Sequence, residues 1–233
     1  ALNLNVLADD MVYASQSAGI LNAKILSTHS NPPLFFYLTD LAYKIFGYTT
    51  FASRFWPLIA GTMLIPLAFL ITAKFFNKKI ALCAAVFITF SNFLIKTTFT
   101  EQSLIVLFFM FGGVFFGMLY LENKSLKWLF FSSIGFGLGL LTKYNAPFFI
   151  FSFILFSLVY MRDKKEKILT KNHLKNFLIF VAILVLFALP FLSFNYFIYK
   201  EKGIIDVYFS RIFKLEKTQE FYSGLAGQEN SFF

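Results

Sequence analysis

The side chains with the most chemical potential stand near the start of the chain. Asp9 and Asp10 are adjacent carboxylates in Leu7-Ala8-Asp9-Asp10-Met11-Val12-Tyr13. Carboxylates are expensive beside hydrocarbon, and most of this chain is apolar. The pair is therefore either a set of working groups or a solvated loop. Three further polar features follow. His29 and Asn31 precede Pro32-Pro33, Glu101 closes the run Lys96-Thr97-Thr98-Phe99-Thr100, and Lys143 sits in the tight turn Thr142-Lys143-Tyr144-Asn145. Singly, each reads as an ordinary charged or polar helix end. Their sidedness is the informative point, and it depends on the spans that carry them.

The chain has 233 residues, 58% of them hydrophobic and 14% charged, with a mean hydropathy of +0.69. Soluble domains carry roughly 25% charged residues. The composition implies a polytopic membrane protein of the all-α class. Barrel strands would alternate apolar and polar over about 10 residues, and these runs are longer and apolar all round. Six segments approach the length needed to cross the bilayer, at 53–73, 80–96, 102–121, 127–142, 145–161 and 176–199. They imply three regions: an external loop at 1–52, a six-helix bundle at 53–199, and the start of a second external loop at 200–233. The chain lacks an initiator Met and ends in a polar stretch, so it reads as a piece of a longer protein.

Charge sets the orientation. The loops Lys74–Lys79, Glu122–Lys127 and Arg162–Lys175 hold 11 of the 21 Lys and Arg, which places them in the cytoplasm. The other side carries 9 of the 12 acidic residues, Asp9, Asp10, Asp40 and Glu101 among them. The net charge of +9 is thus a membrane-anchoring pattern and does not point to nucleic acid. The Lys-rich run at 162–175 reads first as a cytoplasmic anchor and second as a lipid-headgroup sensor. Cys83 stands alone and can form no internal disulfide. Asn123-Lys124-Ser125 matches a glycosylation acceptor but falls on the cytoplasmic side.

Two stretches ahead of the first span read as helices, Asp9–Leu26 and Pro33–Phe46. In the second, Leu34, Tyr37, Leu38, Leu41, Ile45 and Phe46 recur at helical spacing, with Asp40 and Lys44 on another face. Such a helix lies in the interface. A short amphipathic helix is expected around Val207–Leu215. The glycines of 135–139 are no dinucleotide fingerprint, since Leu140 stands where the third glycine belongs and no strand precedes. Close helix packing in the bilayer is the better reading.

The order of these features resembles the polyprenol-phosphate-sugar-dependent membrane glycosyltransferases of the GT-C fold. The branch is that of the aminoarabinose lipid A transferases and, more distantly, the protein O-mannosyltransferases. The resemblance rests on Asp9-Asp10 followed by Tyr13, Asn31-Pro32-Pro33-Leu34, Phe46-Gly47, Ser53-Arg54-Phe55, Thr100-Glu101, and the Gly-rich run ending Leu141-Thr142-Lys143. It covers about residues 7–160 in order. Asp10 stands where the family usually has Glu, and Ser30-Asn31 stand where some relatives carry a Glu-Lys pair that contributes to a metal site. A divalent metal is therefore left open, and no cofactor is implied.

The resemblance implies a GT-C-like bundle in a prokaryotic plasma membrane with an extracytoplasmic active site. The expected partners are membrane lipids, a polyprenyl-phosphate sugar donor, and a lipid, glycan or protein acceptor. By position in the family, Asp9 is the general base and Asp10 a supporting carboxylate. Glu101 orients acceptor or sugar. Arg54 and Lys143 bind phosphate, with Arg211, His29 and Asn31 as further binding candidates. A single displacement would invert the anomeric centre. Two other classes compete: a transporter or flippase subunit, and a non-catalytic assembly protein. Transporters place charges at mid-membrane on broken helices, whereas the ionisable residues here stand at the predicted span ends.

Overall fold

The computed structural model describes residues 8–22, 31–92, 102–164 and 170–215. A chain in hydrocarbon must satisfy its backbone polar groups within its own segment, which favours helices. Among the described residues every regular element is an α-helix: α1 (Ala8–Ser17), α2 (Leu34–Phe46), α3 (Thr50–Phe75), α4 (Lys78–Thr89), α5 (Ser103–Asn123), α6 (Leu126–Leu140), α7 (Ala146–Asp163), α8 (Lys171–Lys202) and α9 (Val207–Ile212).

Their starts follow from side-chain caps. Thr49 Oγ1 accepts from Ala52 N at 3.2 Å, Asn77 Oδ1 from Ile80 N at 3.0 Å, and Thr170 Oγ1 from His173 N at 3.1 Å, opening α3, α4 and α8. Gly47, with φ of 72°, ends α2, as its position after Phe46 predicts.

α3, α5, α7 and α8 are long and apolar enough to cross a membrane. α6 is apolar but only 15 residues long, roughly 22 Å at 1.5 Å per residue. α4 has 12 residues and ends at Thr89, inside the expected span at 80–96, whose residues 93–96 lie outside the described residues. α5 is the hub. Within its most apolar window 44% of residues are buried, against 11–17% for the other three long helices. α3 and α6 pack along α5, α4 packs on α3, and α8 packs on α6. Two apolar cores result. Phe35, Phe36, Ala60, Leu64 and Leu104 join α2, α3 and α5. Val106, Met110, Phe136, Ile150 and Phe180 join α5, α6, α7 and α8.

The contact of α5 with α6 is made by glycine. A Cβ on Gly135 would lie 2.7 Å from Gly113 N and 2.9 Å from Gly113 Cα. A Cβ on Gly113 would lie 2.9 Å from the Phe136 ring, and Ser132 Oγ donates to Gly113 O at 2.8 Å. Backbones can approach this closely only without side chains between them. The expected packing role of glycines 135–139 thus has a concrete form.

The bundle has two chemically distinct ends. At one, Lys74 at the end of α3 pairs with Glu122 at the end of α5, and Asn176 Nδ2 donates to Tyr120 OH at 2.8 Å. This basic end carries the loops of the predicted cytoplasmic set. The other end gathers the starts of α2, α3, α5 and α7 with the end of α6.

One expectation for the first 50 residues needs correction. α1 stops at Ser17 and not at Leu26, because Gly19 takes φ of 78° and the chain turns through residues 18–22. On the other face of α2 Asp40 is buried, 1% exposed, while Lys44 is exposed. The face marked as apolar is the uncovered one: Leu41, Ile45 and Phe46 are exposed, as an interfacial helix presenting that face to lipid requires.

Replacing Gly135 with Ala should weaken the bundle by about 1–3 kcal/mol through backbone overpacking, despite Ala's better helix propensity. Gly112, whose Cβ would meet nothing within 4 Å, is the control. Thermal midpoints of the detergent-solubilised protein measure both. A Gly135→Ala midpoint at or above that of Gly112→Ala would mean that the backbones are not in contact.

Candidate active site

Three helix ends meet at the end of the bundle away from Lys74. The Pro32-Pro33 step is buried and starts α2 against the end of α6, where Leu34 N donates to Leu141 O at 2.9 Å. The last turn of α6 then closes. Thr142 Oγ1 donates to Leu138 O at 2.8 Å and Lys143 N to Gly139 O at 3.1 Å. This carries the Lys143 ammonium to the start of α5, where its Nζ donates to Ser103 Oγ at 3.1 Å. One positive charge is thus held at a helix N-terminus, whose own dipole is positive. The arrangement suits an anion.

Beside it stands Gln102, the residue before α5. It is 1% exposed, and neither Oε1 nor Nε2 has a hydrogen-bond partner. Thr39 Oγ1 on α2, Trp56 Nε1 on α3 and Asn145 Oδ1 in the α6–α7 turn are likewise buried and unpartnered. Such atoms are rare in folded proteins. Asn31 is buried at the foot of α2, and Arg54 is half-buried in the first turns of α3. Burial raises the Tyr37 and Tyr43 phenols above their ordinary value. For Tyr43 the Ser53 hydrogen bond opposes this, while Tyr48 and Asp40 add to it. Both phenols therefore stay protonated near neutral pH, and neither is a base.

Two buried carboxylates fasten this end. Asp40 Oδ1 accepts from Gly19 N at 3.0 Å and Oδ2 from Leu21 N at 3.1 Å, so α2 holds the turn that follows α1. Lys44 Nζ adds a bond to Asn22 Oδ1 at 3.0 Å. Asp206 is fully buried and caps α9, its Oδ1 accepting from Tyr208 N at 2.8 Å and Phe209 N at 2.9 Å. Its Oδ2 accepts from Tyr144 OH at 2.9 Å and Asn195 Nδ2 at 2.6 Å, and its own N donates to Asn195 Oδ1 at 2.8 Å. The segment after α8 is thereby tied to the α6–α7 turn.

Residues 30–194 match the dolichyl-phosphate-mannose-protein mannosyltransferase family. The chain belongs to this family. It also shares its fold with the crystal structures of ArnT from Cupriavidus metallidurans. The apo structure superimposes with a TM-score of 0.65 at 16% identity, over 83% of this chain and 37% of that one. The structure bound to undecaprenyl phosphate superimposes with a TM-score of 0.62 at 18% identity, over 85% and 38%. The chain therefore spans under two fifths of the length of those structures. No curated protein matches it. The expected membrane bundle of the GT-C glycosyltransferase type is the one observed.

Within this family frame the expected site residues divide into three groups. Lys143, Asn31 and Arg54 lie at one end of the bundle, and Lys143 meets the start of α5. Arg211 stands on α9 with its side chain exposed. Asp9 and Asp10 occupy the first turn of α1, where their side-chain contacts lie outside the described residues, as do His29 and Glu101 altogether. Among the described residues no three His, Cys, Asp or Glu side chains gather as a metal ion would need.

Sequence reasoning passed over Gln102, Ser103, Tyr144, Asn195 and Asp206. Two of these carried a usable signal. Asn195 is an amide inside an apolar run, and Asp206 precedes the expected α9 as an N-cap does.

Asp40→Ala should free the turn that carries α1. Loss of a charge-assisted pair of hydrogen bonds corresponds to about 1.5–3 kcal/mol each. Amide hydrogen exchange at Gly19 and Leu21 should accelerate by roughly one to two orders of magnitude, with α5 and α6 amides unchanged. Equal exchange in the variant and the parent would remove Asp40 from this role.

Proposed function

We propose that the protein is a membrane glycosyltransferase. It would move a sugar from a polyprenyl-phosphate donor to an acceptor hydroxyl on the extracytoplasmic face, with inversion. The observation that carries this reading is the meeting of Lys143 with the N-terminus of α5, beside the buried Gln102 amide, in a chain of this family. The ArnT structure with undecaprenyl phosphate supports a lipid-phosphate donor by analogy of fold.

The reaction makes three demands. The acceptor hydroxyl must lose a proton as it attacks, the oxocarbenium-like centre must be held, and the phosphate must leave toward positive charge. Asp9 takes the proton. Asp10 supports it or shares the site, Glu101 orients acceptor or sugar, and Lys143 with Arg54 receives the departing phosphate. Gln102 offers an amide to the donor head. Arg211, His29 and Asn31 are secondary contacts. The donor's lipid tail stays in the bilayer, which requires a site at the membrane surface. α2 is suited to that place, because its exposed apolar face lies along the interface. No step is assigned to a metal.

Transfer of radiolabelled sugar from polyprenyl-phosphate donors, measured on the full-length protein in proteoliposomes, tests the reading. Asp9→Asn should reduce the rate by about 10²–10⁴-fold, the range for losing a general base. Undiminished transfer would sink the assignment of Asp9. Absence of transfer by the intact protein with every such donor would sink the enzyme.

A further inference from the structure

A second feature lies at the opposite, basic end of the bundle. α7 packs on α5 and α6, and α8 packs on α6, but α7 and α8 hardly touch each other. Between them opens a cavity of about 320 Å³, within the range of roughly 300–1,000 Å³ typical of ligand pockets. Its depth is apolar, floored by Gly117, Phe153 and Phe180. Gly117 lets the Phe153 ring pack against α5, because a Cβ there would lie 2.2 Å from that ring. The cavity opens sideways: Leu158 on α7 and Leu174 on α8 line it, yet remain 40% and 57% exposed. In a membrane that direction is the lipid.

The mouth is polar and lies at the basic end of the bundle. Tyr120 OH and Asn176 Nδ2, bonded to each other at 2.8 Å, line it with His173. Two of the helices that line the cavity end in lysine caps. Lys124 and Lys164 are the residues that cap α5 and α7, each three positions beyond a lining residue, Leu121 and Met161. Lys164 is exposed, with Nζ 5.8 Å from the centre of the Tyr160 ring. α8 starts at the same mouth, adding the positive end of its dipole. An apolar slot open to lipid and rimmed by cations matches an amphiphile with an apolar tail and an anionic head.

We propose that this cavity seats one acyl chain of an anionic phospholipid, its phosphate held at the mouth by Lys124, Lys164 and the first turn of α8 at His173. The Lys-rich loop after α7 then does more than orient the chain. Lys164, at its start, helps select a headgroup from the leaflet at the basic end. The site lies at the far end of the bundle from Lys143 and needs no sugar transfer to operate.

The test uses the full-length protein in nanodiscs with phosphatidylglycerol carrying a photoreactive acyl chain. Crosslinks should fall on cavity-lining residues between 153 and 180. Unlabelled phosphatidylglycerol should compete roughly tenfold better than phosphatidylcholine of the same chains, given the attraction of basic side chains for anionic lipid. Lys124→Ala with Lys164→Ala should abolish that preference. Ser157→Trp, which fills the slot, should abolish cavity labelling while the thermal midpoint confirms folding. Equal competition by the two lipids would overturn the headgroup assignment. Failure to label the cavity in the parent protein would overturn the proposal, including the case in which another segment of the longer protein fills the slot.

Discussion

The structure depends on two backbones touching inside a medium that offers no hydrophobic drive. Lipid is as apolar as leucine, so helices in a bilayer gain by close van der Waals contact and by hydrogen bonds between them. α5 and α6 obtain both at one place. Gly135 lies against the backbone of Gly113, and Ser132 gives its hydroxyl to the Gly113 carbonyl at 2.8 Å. That contact sets the register of α6 along α5. The register then decides which turn of α6 comes level with Ser103, and it is the turn that ends in Lys143. A shift of α6 by one residue would turn its glycines away from α5 by about 100° and take the ammonium from the start of α5.

Polar ties finish what the glycine contact begins. At the basic end an ion pair and an amide–phenol bond join α3, α5 and α8. At the other end the work falls to carboxylates that accept from backbone amides in turns. A turn at the rim of a bundle has amides with no helical partner, and a buried amide without an acceptor is costly. Asp40 gives both oxygens to backbone amides, whereas Asp206 gives Oδ1 to two amides at the start of α9 and Oδ2 to the side chains of Tyr144 and Asn195. Their burial is thus explained by the backbone they satisfy, and neither is left over as a candidate base.

Different physics explains why some of this was legible in the sequence and some was not. The positions of four of the six expected spans, the stop of α2 at Gly47, the packing role of the 135–139 glycines and a short helix at 207 all follow from local chemistry: hydropathy, turn conformation and capping. The meeting of Lys143 with the start of α5 was foreseen only as a shared side of the membrane, because spacing does not encode which helix ends touch. The burial of Asp40 was not legible for the same reason. Its helical position marks a polar face, and only the turn at Gly19 shows that this face is covered. Gln102 was invisible because it stood beside Glu101, a stronger signal of the same kind.

Among the described residues the two ends also differ in how completely they satisfy their buried polar atoms. The buried atoms without partners on Thr39, Trp56, Gln102 and Asn145 all belong to the end that holds Lys143. Each such group forfeits about 1–3 kcal/mol relative to a satisfied one. A bundle that satisfies its carboxylates so fully has the means to satisfy these groups as well, since a change to an apolar residue of similar shape would remove the penalty. Retaining four unpartnered groups at one end, next to a fixed ammonium, concentrates unspent hydrogen-bonding capacity where an outside molecule or a further segment of the protein can use it. Stability has been given up at that end and kept at the other, which is the distribution expected when rigid helices hold a site at the rim of a membrane.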